Sequence, residues 1–157
     1  MWKVGPLSIK VKLTLLKQYD VELLRKIPDY GKLIRVIGWI KFKTLFGWTE
    51  PSHAIIDSGA HTSLIPLSLW QEIDVKIISD YYVRGLVPKP ECKIDVKVGW
   101  IEGKIVDEYG NSTPKIKFRA FLALVDNIPL IIGFKDLLEK FLIKINPVAN
   151  QAFIEIR

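Results

Sequence analysis

The sequence predicts one all-β domain, closed into a barrel or folded as a sandwich. Short apolar segments recur along the chain, and several alternate with polar residues at a period of two, as half-buried strands do. Leu7–Leu15 and Cys92–Trp100 are clear examples. Turn-forming residues separate these segments, and helical patterns are few and short. A length of 157 residues fits a single domain, and no repeat or linker divides the chain.

The first third of the chain predicts strands joined by turns, with one short helix. Asp20 can cap that helix, and Pro28 followed by Tyr30-Gly31 ends it. The sequence GWTEPS then forms the turn of a hairpin. The predicted elements are a strand at 7–15, a helix at 21–26, a strand at 32–46, a turn at 47–52 and a return strand at 53–56.

The remainder continues the β pattern. Pro66 opens a helical turn because proline is favoured at the first helical position. The segment KDLLEKF predicts a second short helix of two turns. The predicted elements are a loop at 57–61, strands at 62–65, 76–87, 92–106, 115–125 and 130–133, a helix at 135–141, and a terminal hairpin of strands 142–145 and 152–156.

Composition narrows the class of protein. A hydrophobic content of 49% is typical of a folded domain, and the mean hydropathy of +0.20 suggests apolar surface covered by a partner. No apolar run approaches the roughly 20 residues of a membrane-spanning helix, and no signal peptide is recognisable. The single cysteine, Cys92, cannot form an internal disulfide. We therefore expect a cytoplasmic protein with no membrane partner, and the Lys- and Ile-rich composition fits a heat-adapted source.

The net charge of +6 admits two interpretations. A basic protein can bind nucleic acid through its phosphates. The lysines, however, mostly alternate with apolar residues along predicted strands, as Lys10, Lys12, Lys115 and Lys117 do. That spacing places them on solvated outer faces, so the sequence favours a lysine-rich surface over a nucleic-acid partner.

One acidic residue stands apart. Asp57 follows the apolar Ile55-Ile56 and precedes Ser58-Gly59-Ala60. A carboxylate at the end of a buried strand is costly unless it is hydrogen-bonded. Gly59 permits a tight turn and the approach of a second backbone, and Ala60 keeps the loop narrow. The pattern suits a carboxylate presented to a partner group.

Two segments in this order resemble the hallmarks of retropepsin-like aspartic proteases, the family of the retroviral proteases. IIDSGA resembles the active-site loop, and LIIGFKDLLEKF, from Leu130 to Phe141, resembles the second hallmark, an apolar strand that ends in glycine before a helix. The resemblance covers residues 33–157 and implies a closed retropepsin-like barrel with one short helix after the Ile-Ile-Gly strand. Residues 1–32 would be an N-terminal extension of unknown role.

The resemblance implies an aspartic endopeptidase that works as a homodimer on a peptide or protein substrate. The chain holds a single Asp-Ser-Gly, so the second catalytic aspartate would come from another subunit. Asp57 would be the catalytic residue, with Ser58, Gly59 and Ala60 as supports of its loop. Ile132 and Gly133 would pack beneath that loop. The flap over the substrate would include Arg84, Gly85, Leu86 and Val87.

The sequence departs from the family pattern at three places. The flap segment RGLVPKP has one glycine and two prolines, where the family is often glycine-rich. His61 and Phe134 stand where retroviral members carry an Asp–Arg ion pair. Many cellular members have Asp two residues after the second-hallmark glycine, where this chain has Lys135 followed by Asp136.

Other functions remain open at this point. The fold could serve dimerisation or peptide binding without turnover, or a basic β-barrel could bind nucleic acid. His53 and His61 flank Asp57, but no third ligand is at hand, so we predict no metal and no cofactor. Cys92 has no paired histidine or cysteine and is interpreted as an inert thiol.

Overall fold

Ten strands form the architecture of this protein in a computed structural model that describes residues 8–84 and 93–156. The strands are β1 (Ile9–Tyr19), β2 (Lys32–Phe42), β3 (Ser52–Ile56), β4 (Ser63–Ile65), β5 (Lys76–Arg84), β6 (Lys93–Val106), β7 (Ile116–Ala123), β8 (Ile131–Ile132), β9 (Leu142–Asn146) and β10 (Gln151–Ile156). The helices are α1 (Val21–Lys26), α2 (Leu67–Trp70) and two 3₁₀ turns (Pro28–Tyr30 and Leu138–Lys140). The predicted all-β class is confirmed.

Six of the strands close a circuit of pairings. β2 pairs with β3, β3 with β8, β8 with β4, β4 with β7, β7 with β6, and β6 with β2. The β3–β8 and β4–β7 pairings are parallel and the others are antiparallel. The strand that ends at Asp57 therefore lies side by side with the second apolar segment of the chain.

β1 is longer than the strand predicted at 7–15. Its first half, Ile9–Leu13, pairs with β10, which in turn pairs with β9. Its second half, Thr14–Tyr19, pairs with the start of β2. The N-terminal strand thus belongs to the same sheet as the rest, while a domain boundary at residue 32 stays a prediction.

The core lies inside this circuit. Alternate residues of β6 and β7 are buried, as Ile101, Ile105, Phe118 and Leu122 show, and their neighbours face outward. Such alternation is what a sheet with one solvated face produces. No helix among the described residues has the length and apolar character needed to cross a membrane.

The helix predicted at 135–141 is wrong in type and length. Only Leu138–Lys140 is helical, as a single 3₁₀ turn. Asp136 adopts a left-handed backbone with φ of 67°, which interrupts a right-handed helix. Its carboxylate is held by Arg119, whose Nε and Nη2 donate at 2.7 and 3.0 Å to the two carboxylate oxygens. This long-range contact overrides the local helical pattern.

This pair makes stability sensitive to acid. The hydrogen bond from Arg119 holds the pKa of the Asp136 carboxyl below its usual value, and partial burial opposes that shift only in part. Asp136 therefore stabilises the fold above its unfolded pKa of about 3.9, and this contribution is lost as pH falls through the lower folded pKa.

We expect Asp136→Asn to melt a few degrees below the wild type at pH 7, and the gap to close below about pH 4. Asparagine tolerates the left-handed backbone, so the change removes the charge and one of the two oxygens that accept from Arg119, without adding backbone strain. Thermal melts from pH 7 to pH 2.5 measure the gap, and a gap that stays constant with pH would contradict the assignment.

Candidate active site

Asp57 lies one residue beyond the end of β3 and is partly buried. Its backbone N–H donates to the carbonyl oxygen of Ile132 at 2.9 Å, and the N–H of Ile55 donates to Leu130 at the same distance. These bonds extend the parallel β3–β8 pairing past the strand end. The position of the Asp57 backbone is therefore fixed by the second apolar segment.

The turn after Asp57 is closed by the aspartate itself. Its Oδ1 accepts the N–H of Gly59 at 2.9 Å, and its carbonyl oxygen accepts the N–H of Ala60 at 3.2 Å. A Cβ at residue 59 would lie 3.2 Å from that same Oδ1, so glycine leaves room for the carboxylate. Within the described part of the chain no hydrogen bond reaches Oδ2, so this oxygen is available for chemistry.

A second set of bonds clamps the loop from the other side. The N–H of Phe134 donates to the Ala60 carbonyl at 2.8 Å, and the N–H of Lys135 donates to His61 at 2.8 Å. Gly133 directly precedes these two donors, and a Cβ on Gly133 would lie 2.7 Å from the backbone carbonyl carbon of Thr62. The loop is thus held on two sides by backbone contacts that only glycine at residue 133 permits.

Ser63 completes this clamp and was not recognised in the sequence. Its side chain is fully buried, and its Oγ accepts the N–H of Gly133 at 2.9 Å. A serine at the start of a short strand carries no signal of this role, because its partner is 70 residues away.

We expect Ser63→Ala to cost about 1–3 kcal/mol of stability, because the Gly133 N–H would be left buried without an acceptor. Ser68→Ala serves as the control, since Ser68 is exposed. Chemical denaturation compares the two variants with the wild type, and equal losses would show that the Ser63 hydroxyl does not hold the loop.

Ser58 and Ala60 differ in their exposure and in the hydrogen bonds they make. Ser58 is exposed, and its hydroxyl makes no hydrogen bond within residues 8–84 and 93–156. Ala60 is half-buried, and both its N–H and its carbonyl are used in the clamp. The free hydroxyl beside Asp57 is thus the group that can reach another molecule.

The flap residues are described only in part. β5 and β6 form a long hairpin, with Arg84 opposite Lys93 at its far end. The guanidinium of Arg84 lies 5.7 Å from the ring centre of Tyr82. Gly85, Leu86 and Val87 lie outside the described residues, so the flap remains a prediction.

An open groove of about 480 Å³ lies between the start of β6, at the far end of this hairpin, and the segment 124–128. Ile94, Leu124, Val125 and Ile128 give it an apolar lining, with polar groups from Lys93, Asp95 and Asn127. Segment 124–128 leads into β8, which pairs with the strand that carries Asp57. The groove can accept an apolar side chain.

The two histidines are engaged separately. The ring of His53 lies against that of Trp39, with centroids 3.5 Å apart, and Nδ1 of His61 lies 2.9 Å from the Thr62 hydroxyl. No group of three potential metal-binding side chains occurs among the described residues. Beyond the second-hallmark glycine, Asp136 pairs with Arg119 and Lys135 pairs with Glu139, whereas His61 forms no ion pair within the described residues.

Comparison with known proteins supports the fold. No protein-family model matches the sequence, and no curated protein does. Among solved structures, a retropepsin-like aspartic protease from Rickettsia conorii aligns with a TM-score of 0.55 and 11% identity, over 99% of this chain and 98% of that one. The EIAV protease, solved with the inhibitor HBY-793, aligns over 67% of this chain and 86% of that one at 18% identity. The TM-score of this second alignment is 0.38.

The fold of this chain is retropepsin-like, as the sequence predicted.

Proposed function

We propose that this protein is an aspartic endopeptidase that acts as a homodimer, with one Asp57 from each subunit. The observation that carries the proposal is the Asp57 loop. A carboxylate stands at a strand end of a retropepsin-like fold, and the Gly133 segment clamps its loop by backbone hydrogen bonds. Such fixed placement is what catalysis by positioned groups requires.

A second carboxylate is needed, and a second subunit is its source. The sequence contains one Asp-Ser-Gly. A twofold axis beside the loop would bring Asp57 of one subunit against Asp57 of the other. Gly59 leaves the loop without a side chain that would obstruct this approach, and the exposed Ser58 hydroxyl could bond the opposite loop.

The chemistry follows from two close carboxylates. Like charges at hydrogen-bond distance do not both ionise, so the pair shares one proton and titrates as a unit. The ionised carboxylate takes a proton from a bound water, whose oxygen attacks the peptide carbonyl carbon. The protonated carboxyl gives its proton to the carbonyl oxygen. The tetrahedral intermediate then breaks at the C–N bond: the carboxyl that took the water's proton gives it to the leaving nitrogen, and a hydroxyl proton of the intermediate returns to the other carboxylate.

The substrate is proposed to be an extended peptide. The β5–β6 hairpin offers backbone groups to an added strand, and β5 is exposed along most of its length. The groove beside Ile94 and Ile128 would take one apolar side chain. Because alternate side chains of a strand face the same way, the residues two before and two after that side chain would face the same side of the cleft.

Peptide hydrolysis tests the proposal. Wild type and Asp57→Asn are incubated with a mixed peptide library from mildly acid to neutral pH, and cleavage is followed by mass spectrometry. Cleavage by the wild type alone is expected. The absence of cleavage by either would leave the alternative, a retropepsin-like module that dimerises or binds peptides without turnover.

A further inference from the structure

Residues 14–37 form a projecting arm, made of the second half of β1, the helix α1 and the first half of β2. The two strands pair with each other from Thr14–Ile37 to Tyr19–Lys32. α1 and the 3₁₀ turn Pro28–Tyr30 connect them at the tip. No described residue of α1 is buried, so the tip stands away from the core.

Hydrogen bonds give the tip of the arm a defined structure. The Asp20 side chain accepts the N–H of Leu23 at 2.9 Å, which caps α1. The Asp20 N–H also donates to the Gly31 carbonyl at 2.9 Å and closes the tip. A preformed element loses little conformational freedom when it binds, so the arm is suited to docking.

The arm exposes an unusual amount of apolar surface. Seven apolar residues are more than one third exposed: Leu16 (38%), Tyr19 (65%), Val21 (62%), Ile27 (51%), Tyr30 (71%), Leu33 (36%) and Ile34 (44%). At on the order of 200 Å² for each fully exposed residue, they present roughly 700 Å². Because Leu33 and Ile34 face opposite sides of the arm, this area is not one patch, but an arm enclosed on both sides would bury most of it, and a stable interface buries about 800 Å² per partner.

The arm leaves the sheet at the end where Asp57 lies. β2 runs antiparallel to β3, with Ile37 opposite Ile55. From that pair β3 runs on to Asp57, while β2 leads back into the arm. The arm and the candidate catalytic loop therefore share one end of the sheet, which is where a second Asp57 has to arrive.

We propose that the arm clasps a second copy of this chain and holds the two Asp57 loops together. This inference rests on the proposed function, because that function makes the site incomplete without a partner at this end. Apolar residues on both strand faces suit a clasped arm. Phe134 is 45% exposed directly beside the loop, and we assign it to the surface that receives the partner's arm.

The arm's side chains fit a protein partner. Ile34 and Leu33 are neighbours in β2 and so face opposite sides of the arm, and both are exposed. The arm carries charges of both signs, namely Lys17, Asp20, Glu22, Arg25, Lys26, Asp29, Lys32 and Arg35. A surface of mixed charge matches another copy of itself better than it matches the uniformly negative surface of nucleic acid.

Sedimentation velocity over a range of protein concentrations tests the arm. Val21→Ser with Tyr30→Ser, and separately Tyr19→Ser with Ile34→Ser, remove exposed apolar groups without touching the core. We expect each pair to raise the dimer Kd by about tenfold or more, since interface tyrosines often dominate binding. Leu45→Ser with Phe46→Ser is the matched control, because both residues are exposed (76% and 99%) in the loop after β2, at the end of that strand opposite the arm, and its Kd should stay within about twofold of wild type. Circular dichroism verifies that every variant is folded.

Activity separates failure of the arm from failure of the enzyme. The arm variants should reach the wild-type plateau of peptide cleavage at higher protein concentration, whereas Asp57→Asn should dimerise normally and cleave nothing. If the arm variants and the control dimerise like the wild type, or if the wild type is a monomer throughout, the arm proposal is overturned. If the arm variants dimerise normally but cleavage still depends on Asp57, the proposed enzymatic function stands without the arm. If no cleavage depends on Asp57, the enzymatic function is rejected whatever the arm does.

Discussion

Asp57→Asn is expected to reduce peptide hydrolysis by about 10³-fold or more, because an amide can neither take nor share the proton that the mechanism needs. The variant should remain folded. Asparagine keeps an oxygen that can accept the Gly59 N–H, now made by Asp57 Oδ1 at 2.9 Å. The measurement is kcat/KM for the best peptide from the library, together with the melting temperature.

Asp74→Asn is the matched control for this change. Asp74 is exposed, and its side chain makes no hydrogen bond within the described ranges. The Asp74→Asn variant loses the same charge but leaves the Asp57 loop unchanged, so its activity should equal that of the wild type. Cleavage by Asp57→Asn at the wild-type rate would show that Asp57 is not the catalytic residue.

Gly133→Ala is the second change with a large expected effect. The added Cβ would lie 2.7 Å from the carbon of Thr62, 2.8 Å from the oxygen of Ala60 and 2.9 Å from the nitrogen of Ser63. All three are backbone atoms of the Asp57 loop and its continuation, so the loop must move. We expect a loss of about 3 kcal/mol, or a melting temperature lower by roughly 6–12 °C.

Activity of Gly133→Ala should fall even where the protein is still folded, because the displaced loop carries Asp57. Gly47→Ala is the control. A Cβ at residue 47 meets nothing within 4 Å, so stability should change by less than about 1 kcal/mol. Equal melting temperatures for the two variants would show that the loop does not need the close approach at Gly133.

Local chemistry made much of the fold predictable. The cap of Asp20 on α1, the helical turn after Pro66 and the strand that ends at Asp57 each follow from a few neighbouring residues. The parallel β3–β8 and β4–β7 pairings do not, because they join segments far apart in the chain. The resemblance placed Ile132 and Gly133 beneath the Asp57 loop, but it predicted neither of these pairings.

The errors have the same physical origin. The segment KDLLEKF has a helical pattern. Arg119, which precedes Asp136 by 17 residues, binds the Asp136 carboxylate in an ion pair, and the helix does not form there. Ser63 looked unremarkable because its partner Gly133 is distant in sequence. Leu16-Lys17-Gln18-Tyr19 breaks the alternation of β1, yet it is extended because Lys32–Arg35 pairs with it.

The central claim is that each active site uses two Asp57 carboxylates from two chains. Wild type and Asp57→Asn are mixed in varied proportions at one total concentration above the dimer Kd, left to exchange subunits, and assayed for peptide cleavage. If only wild-type pairs are active, activity follows the square of the wild-type fraction, and an equal mixture keeps about one quarter. Activity in direct proportion to the wild-type fraction, with about one half kept in the equal mixture, would mean that each chain works alone and would contradict the account.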